Sequence, residues 1–245
     1  MNTQSEKLRK FLSTHFDSMW TSGAGGEYRE FPDYDLYARD YLDFAEQSLK
    51  AYQATKGSAE LLNCISHLKR GMDCQIDTFF SVFNLEKIFT KKNLKFEKKL
   101  DFLTACGIFS SRTLVRLNTF RNHMEHRYKI PKVEDIEAYF DLVTAFIAII
   151  EAAIAGLWER EYGIGDENDE GHSEKSFIIG YEKEKPEIVA EWWSWRERDK
   201  GEKIFATPDN PFEFAYFMRV LFMLAQVEGM ASDGWVKKML FEENL

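Results

Sequence analysis

At 245 residues, 44% apolar and 15% aromatic, the chain has the length and apolar content for one large or two small domains around a buried core. Its formal charge of -9 argues at first sight against a nucleic-acid ligand, and its most hydrophobic run, Ala145 to Leu157, is broken by Glu151 and falls short of a membrane span. The opening MNTQSEKLRKFLSTHF lacks the charged start, apolar centre and cleavage site of a secretory signal, so the expectation is a soluble, cytoplasmic protein with no membrane partner. Cys64, Cys74 and Cys106 are odd in number and form no CxxC pair, which points to buried core thiols.

Along the chain, residues 4 to 20 have the spacing of a short amphipathic helix that ends at the glycine-rich TSGAGGE. Residues 1–29 thus read as an N-terminal extension. After Pro32, Tyr34, Tyr37, Tyr41, Phe44 and Leu49 recur at near-helical spacing. A turn at Lys56-Gly57-Ser58 leads to a second helix with Leu61, Leu62, Ile65, Leu68, Met72, Ile76 and Phe79 on one side. The short connection makes the two an antiparallel hairpin. A third helix, from about Leu94 to Ala105, turns Phe96, Leu100 and Leu103 inward and stops at Gly107. A fourth starts near Ser110 or Ser111 and runs to Tyr128, where Pro131 forces a break. The fifth, Val133 to Arg160, is nearly all apolar between Leu142 and Ile154 and is expected to be the most buried.

The remainder changes character. GIGDENDEGHSEK, residues 163–175, is acidic and glycine-rich and reads as a linker, with His172 a solvated residue in it. SFIIGYEKE, EIVAEWWSW and GEKIFAT then read as strands, and Pro211 opens a helix capped by Asp209 or Asn210. The expected organisation is mainly α: a bundle of four to five antiparallel helices over residues 30–162, and a small α/β module over 176–245. Trp192, Trp193 and Trp195 are residues on which bases can stack, although tryptophans close together in a strand more often divide between a core face and a packing surface.

The stretch RNHMEHRY, Arg121 to Tyr128, carries the most chemistry. Cutting RNA without a metal requires a base of near-neutral pKa to take the ribose 2′-hydroxyl proton and a permanent cation to hold the phosphate. His126 is the candidate base and Arg121 the candidate clamp, with Asn122 orienting one or the other. Arg116, Arg127, Lys129 and His123 are candidate substrate contacts. Between Lys87 and Lys132 there are twelve Lys or Arg against three Asp or Glu, a local balance of +9, while the rest of the chain carries twenty basic and thirty-eight acidic residues. A phosphate chain is drawn to the basic segment and repelled elsewhere. The plainer reading of Lys91, Lys92, Lys95, Lys98 and Lys99 is a solvated helix face.

The pattern Arg121-Asn122-x3-His126-x-Tyr128 resembles the HEPN superfamily of small helical ribonucleases, and its Arg-x4-His-x-Tyr form looks like members that act as toxins beside a nucleotidyltransferase antitoxin. The resemblance covers roughly residues 30 to 160. It implies a helical bundle, metal-independent RNA cleavage, a homodimer that completes the site, RNA as substrate, and a toxin or phage-defence role. It also implies a cognate antitoxin or nucleotidyltransferase partner, with Tyr128 as a candidate site of adenylation. On a straight helix, Arg121 and His126 lie about 140° apart around the axis, so either the helix loosens before Pro131 or a second subunit completes the site.

Two further readings accompany this one. The same residues in a non-catalytic HEPN-like protein would bind RNA or nucleotide, or support a dimer or interaction scaffold. His123 and His126 at a spacing of three raise a metal site, but there is no HExxH, no ExxH at di-iron spacing and no second histidine cluster, so neither a metal nor another cofactor is expected. His67 reads as a satisfied core or surface histidine, and His15 has no context in the sequence.

Overall fold

The computed structural model describes residues 3–25, 30–86, 96–109, 119, 132–156, 159–167, 173–182, 185–227 and 229–242. The chain divides into two compact units: Met1–Arg29, Phe102–Ile108 and Ala155–Leu245 form one, and Glu30–Asp101 and Phe109–Ile154 the other.

The first unit is built on a five-stranded antiparallel sheet in simple sequence order: β1 (Met19–Gly25), β2 (Glu159–Glu167), β3 (Ser173–Glu182), β4 (Glu187–Ser194) and β5 (Glu202–Ala206). Register puts Tyr162, Phe177, Trp192 and Glu202 in one cross-strand row and Ile179, Ala190 and Ile204 in the next. Because side chains alternate along a strand, both rows share a face, and their apolar members Tyr162, Phe177, Ile179, Ala190 and Ile204 are buried. Helix α1 (Gln4–His15) opens with a capping box between Thr3 and Glu6 and buries Leu8, Phe11 and Leu12. The C-terminal pair in this unit begins at Pro211, whose missing amide proton costs nothing in a first helical turn. It buries every residue from Phe214 to Leu224 except Arg219, and is followed by a shorter helix, Asp233–Phe241, capped by the Ser232 side chain.

The second unit is helical. Helix α2 (Ala38–Thr55) begins where Asp40 Oδ2 accepts from the Tyr37 amide at 2.7 Å, and ends at Lys56 in the left-handed region, φ 54°. Helix α3 (Ser58–Val82) starts two residues later and returns alongside α2. Gly71 allows the close approach, since a β-carbon there would lie 3.2 Å from the Ala38 carbonyl and 3.3 Å from Tyr41 Cβ. Among the described residues, helices α4 (Phe96–Ala105) and α5 (Val133–Gly156) follow, of which residues 96–101 and 133–154 belong to this unit. The two C-terminal helices are α6 (Pro211–Leu224) and α7 (Asp233–Phe241).

Helix α5 is long and apolar enough, by length and composition, to cross a membrane. It buries a single stripe, Ile136, Tyr139, Val143, Phe146, Ile147, Ile150 and Ile154, and leaves Ile149 40% exposed. Phe146 stacks on Phe109 at 4.9 Å, and Arg39 on α2 grips Glu151 with both nitrogens, Nε to Oε1 at 3.0 Å and Nη2 to Oε2 at 2.5 Å. Glu151, which breaks the apolar run, therefore ties α5 to α2.

The fold class is corrected by these findings. With seven α-helices among the described residues and a five-stranded sheet, the chain is α+β, and not a mainly α bundle with a small C-terminal module. Within residues 1–29, read as an N-terminal extension, Gln4–His15 form α1 and Met19–Gly25 the edge strand β1. Of the segment 163–175, read as a linker, residues 163–167 lie in β2 and residues 173–175 in β3. MWTSGAG and EREYGIGDE have too many glycines and charges to look like strands, and they are strands because each pairs with a neighbour. The expected fourth helix falls outside the described residues apart from Thr119, which is helical and exposed.

Candidate functional site

Arg121, Asn122 and His126, together with Arg116, His123, Arg127, Tyr128 and Lys129, lie outside the described residues. The chain re-enters the described structure at Lys132, whose carbonyl accepts from the amides of Asp135 and Ile136 as α5 begins. Of the nearby lysines, Lys98 pairs with Asp101 at 3.0 Å, and Lys99 pairs with Asp77 at 2.5 Å while lying over the Phe80 ring. Lys98 is exposed beside a partner on its own helix, whereas Lys99 is partly buried against Asp77 of α3, and Lys91, Lys92 and Lys95 lie outside the described residues.

His67 on α3 is partly buried, and its Nδ1 has no hydrogen-bond partner among the described residues. Its pKa is pushed below the ordinary histidine value by burial first and by Arg70 second, so the ring stays neutral near pH 7. Its ring lies 5.5 Å from Phe44, the surroundings of a packing residue and not of an acid. Cys64 and Cys106 are buried as expected, and burial pushes the Cys64 thiol up to about 12. Cys74 departs from the expectation, being only partly buried, with its thiol donating to the Leu36 carbonyl at 3.7 Å.

A cluster that the sequence did not single out lies in the α+β unit, where a cleft of about 500 Å³ is lined by Lys7, Lys10, Phe11, Thr14, His15, Trp192 and Glu202. The five α1 residues share one face because they fall at helical spacing, each three or four from the next turn's neighbour. Across from them, Trp192 and Glu202 are cross-strand partners on β4 and β5. The Phe11 and Trp192 rings stack with centroids 4.3 Å apart and planes 23° from parallel. Trp193, pointing to the opposite face of the sheet, lies under the Arg198 guanidinium at 5.1 Å, and Trp195 is 39% exposed. The tryptophans are thus divided between faces, and only Trp192 lines the cleft.

Charge in the cleft is unbalanced. Lys7 pairs with Glu202 at 3.1 Å, but Lys10 has no carboxylate partner among the described residues, nor has Lys175, which lies beside the cleft's His15 without lining the cleft. Lys175 Nζ lies 3.3 Å from His15 Nε2. An ammonium has only protons to offer, so the imidazole accepts at Nε2, is neutral, and carries its own proton on Nδ1. Burial first and the Lys175 charge second hold the His15 pKa below the ordinary value. The helical spacing of Lys7, Lys10, Phe11, Thr14 and His15 was visible in the sequence. Their partners on the sheet were not, since no local pattern joins residue 15 to residue 175.

No protein-family model matches the chain, and no curated protein or solved structure matches it.

Proposed function

We propose that this protein is a metal-independent endoribonuclease. The observation that carries the reading is the combination Arg121-Asn122-x3-His126-x-Tyr128, set in a segment whose local charge is +9 in a chain of net charge -9. The motif lies in the sequence between α4 and α5, and the long α2–α3 hairpin and α5 are the kind of helical setting that the HEPN resemblance implies.

In the proposed reaction His126 removes the proton from a ribose 2′-hydroxyl. That oxygen attacks the adjacent phosphorus, the bond to the 5′-oxygen of the next nucleotide breaks, and the leaving oxygen takes up a proton. Arg121 stabilises the charge that accumulates on the phosphorane, and Asn122 orients the histidine or the phosphate. The products are a 2′,3′-cyclic phosphate and a 5′-hydroxyl. A homodimer brings a second copy of the motif to the site, and Tyr128 is a candidate point of silencing by adenylation.

The test is incubation of total RNA and tRNA with purified protein in EDTA, beside His126→Ala and Arg121→Ala whose folding is checked by circular dichroism. The expected outcome is cleavage by the wild type and loss of at least about a hundredfold in rate for either variant, the usual scale for removing a general base or an electrostatic clamp. Wild-type mass is measured first, so that an adenylated Tyr128 is recognised. Equal behaviour of three unmodified proteins would leave the motif a binding or dimer-supporting element.

A further inference from the structure

We propose that the cleft between α1 and strands β4 and β5 is a nucleotide-binding site, with the phosphate held by Lys10 and His15, the latter backed by Lys175 of β3, and the base laid against Trp192. The inference stands on the α+β unit alone and does not depend on the ribonuclease reading.

Three observations converge on this ligand class. First, Lys10 and His15 line the cleft, Lys10 has no carboxylate partner among the described residues, and Lys175 lies against His15 at 3.3 Å. A bound anion supplies the counter-charge that Lys10 lacks, accepting from its ammonium group. The His15 ring adds a neutral, polar surface to the same wall. Second, a volume of about 500 Å³ falls within the roughly 300–1,000 Å³ typical of small-molecule sites and is far more than one phosphate fills. Third, the wall beside the cations is aromatic, a stacked Phe11–Trp192 pair with Trp192 only partly buried.

A planar ring joined to a phosphate satisfies both halves, since every nucleobase has a π-face that stacks on an indole regardless of its identity. Glu202, already beside Lys7, is placed to accept from ribose hydroxyls or an exocyclic amine. The same chemistry is presented by a free mononucleotide and by the phosphorylated end of an RNA chain.

The experiment follows the His15 imidazole signals by NMR in the full chain carrying His126→Ala, so that RNA is not consumed. AMP, ribose 5-phosphate, adenosine and a 5′-phosphorylated oligoribonucleotide are titrated in turn. AMP is expected to shift the His15 signals with saturation below about 1 mM, and to bind about tenfold more tightly than ribose 5-phosphate or adenosine. Lys10→Gln and Trp192→Leu are each expected to weaken AMP by about tenfold, with unchanged backbone spectra elsewhere. Tighter binding of the oligonucleotide than of AMP assigns the site to RNA ends, and equal binding assigns it to free nucleotides. No His15 shift up to about 5 mM AMP overturns the proposal. So does a response to AMP that ribose 5-phosphate reproduces and Trp192→Leu leaves intact.

Discussion

Lys175 Nζ donates to His15 Nε2 at 3.3 Å across a sequence separation of 160 residues, so a charged group on β3 fixes the tautomer of a histidine on α1. Burial disfavours the imidazolium, and the Lys175 charge disfavours it further. Removing the charge in Lys175→Met is expected to raise the His15 pKa part of the way back towards the ordinary value, because burial remains. A histidine NMR titration reads this directly. An unchanged pKa would show that the two groups do not interact in solution.

The same shift sets a sign for stability. His15 and His67 both have folded-state pKa values below their unfolded value of about 6.5, so between the two values the unfolded chain binds more protons. The stability they contribute is fully present above the unfolded pKa and is lost as pH falls through the folded pKa. Melting temperatures are therefore expected to drop from pH 7.5 to pH 5.5 by less in a His15→Gln, His67→Gln double variant than in the wild type. An equal drop would assign the acid sensitivity to other groups.

The edge strand β1 rests on a close fit between Trp20 and Gly163, which face each other in the β1–β2 ladder. A β-carbon at residue 163 would overlap the Trp20 indole, whose Nε1 donates to the Gly165 carbonyl at 3.3 Å. Gly163→Val is expected to expel Trp20 and cost about 1–3 kcal/mol in urea unfolding, the usual range for overpacking. Deletion of residues 1–25 removes β1 together with the buried Leu8, Phe11, Leu12 and Phe16, and is expected to leave an insoluble or unfolded α+β unit. A deletion variant with the wild-type melting temperature would return these residues to the status of an extension.

Arg219 on α6 donates from Nε to the Ala105 carbonyl at 2.8 Å, just before Gly107 turns the chain at φ 76°. Beside it Cys106 is fully buried, its Sγ 3.7 Å from Met218 Sδ. Arg219→Met leaves the Ala105 carbonyl without this donor and is expected to cost about 1–3 kcal/mol. In native protein, Cys74 is expected to react with a thiol reagent ahead of Cys64 and Cys106, because burial pushes all three thiols up in pKa but leaves only Cys74 partly accessible. Peptide mapping after a timed reaction orders the three.

Helix α3 was legible from Leu61 to Phe79 through its long apolar stripe, although Leu62, read as part of that stripe, is 52% exposed. The Lys56-Gly57-Ser58 turn was legible from its chemistry. Strands β3 to β5 showed through their β-branched and aromatic residues. Strands β1 and β2 did not, since Thr21-Ser22-Gly23-Ala24-Gly25 and Gly163-Ile164-Gly165 have little intrinsic strand character and become strands by pairing across about 140 residues. Missing them turned an α+β chain into a mainly α one. The site divides in the same way. The Arg121–Tyr128 motif is a local pattern, legible in a single segment. The cleft is assembled from α1, β4 and β5, with Lys175 of β3 against its His15, so only the fold brings His15, Lys175 and Trp192 together.

The most direct test of the ribonuclease reading is the chemistry of the cut ends, determined by mass spectrometry on a defined RNA incubated with the protein in EDTA. The account predicts a 2′,3′-cyclic phosphate and a 5′-hydroxyl, and no cut when the ribose at that position is replaced by 2′-deoxyribose. Cleavage that disappears on chelation, or that leaves a 3′-hydroxyl and a 5′-phosphate, would contradict it.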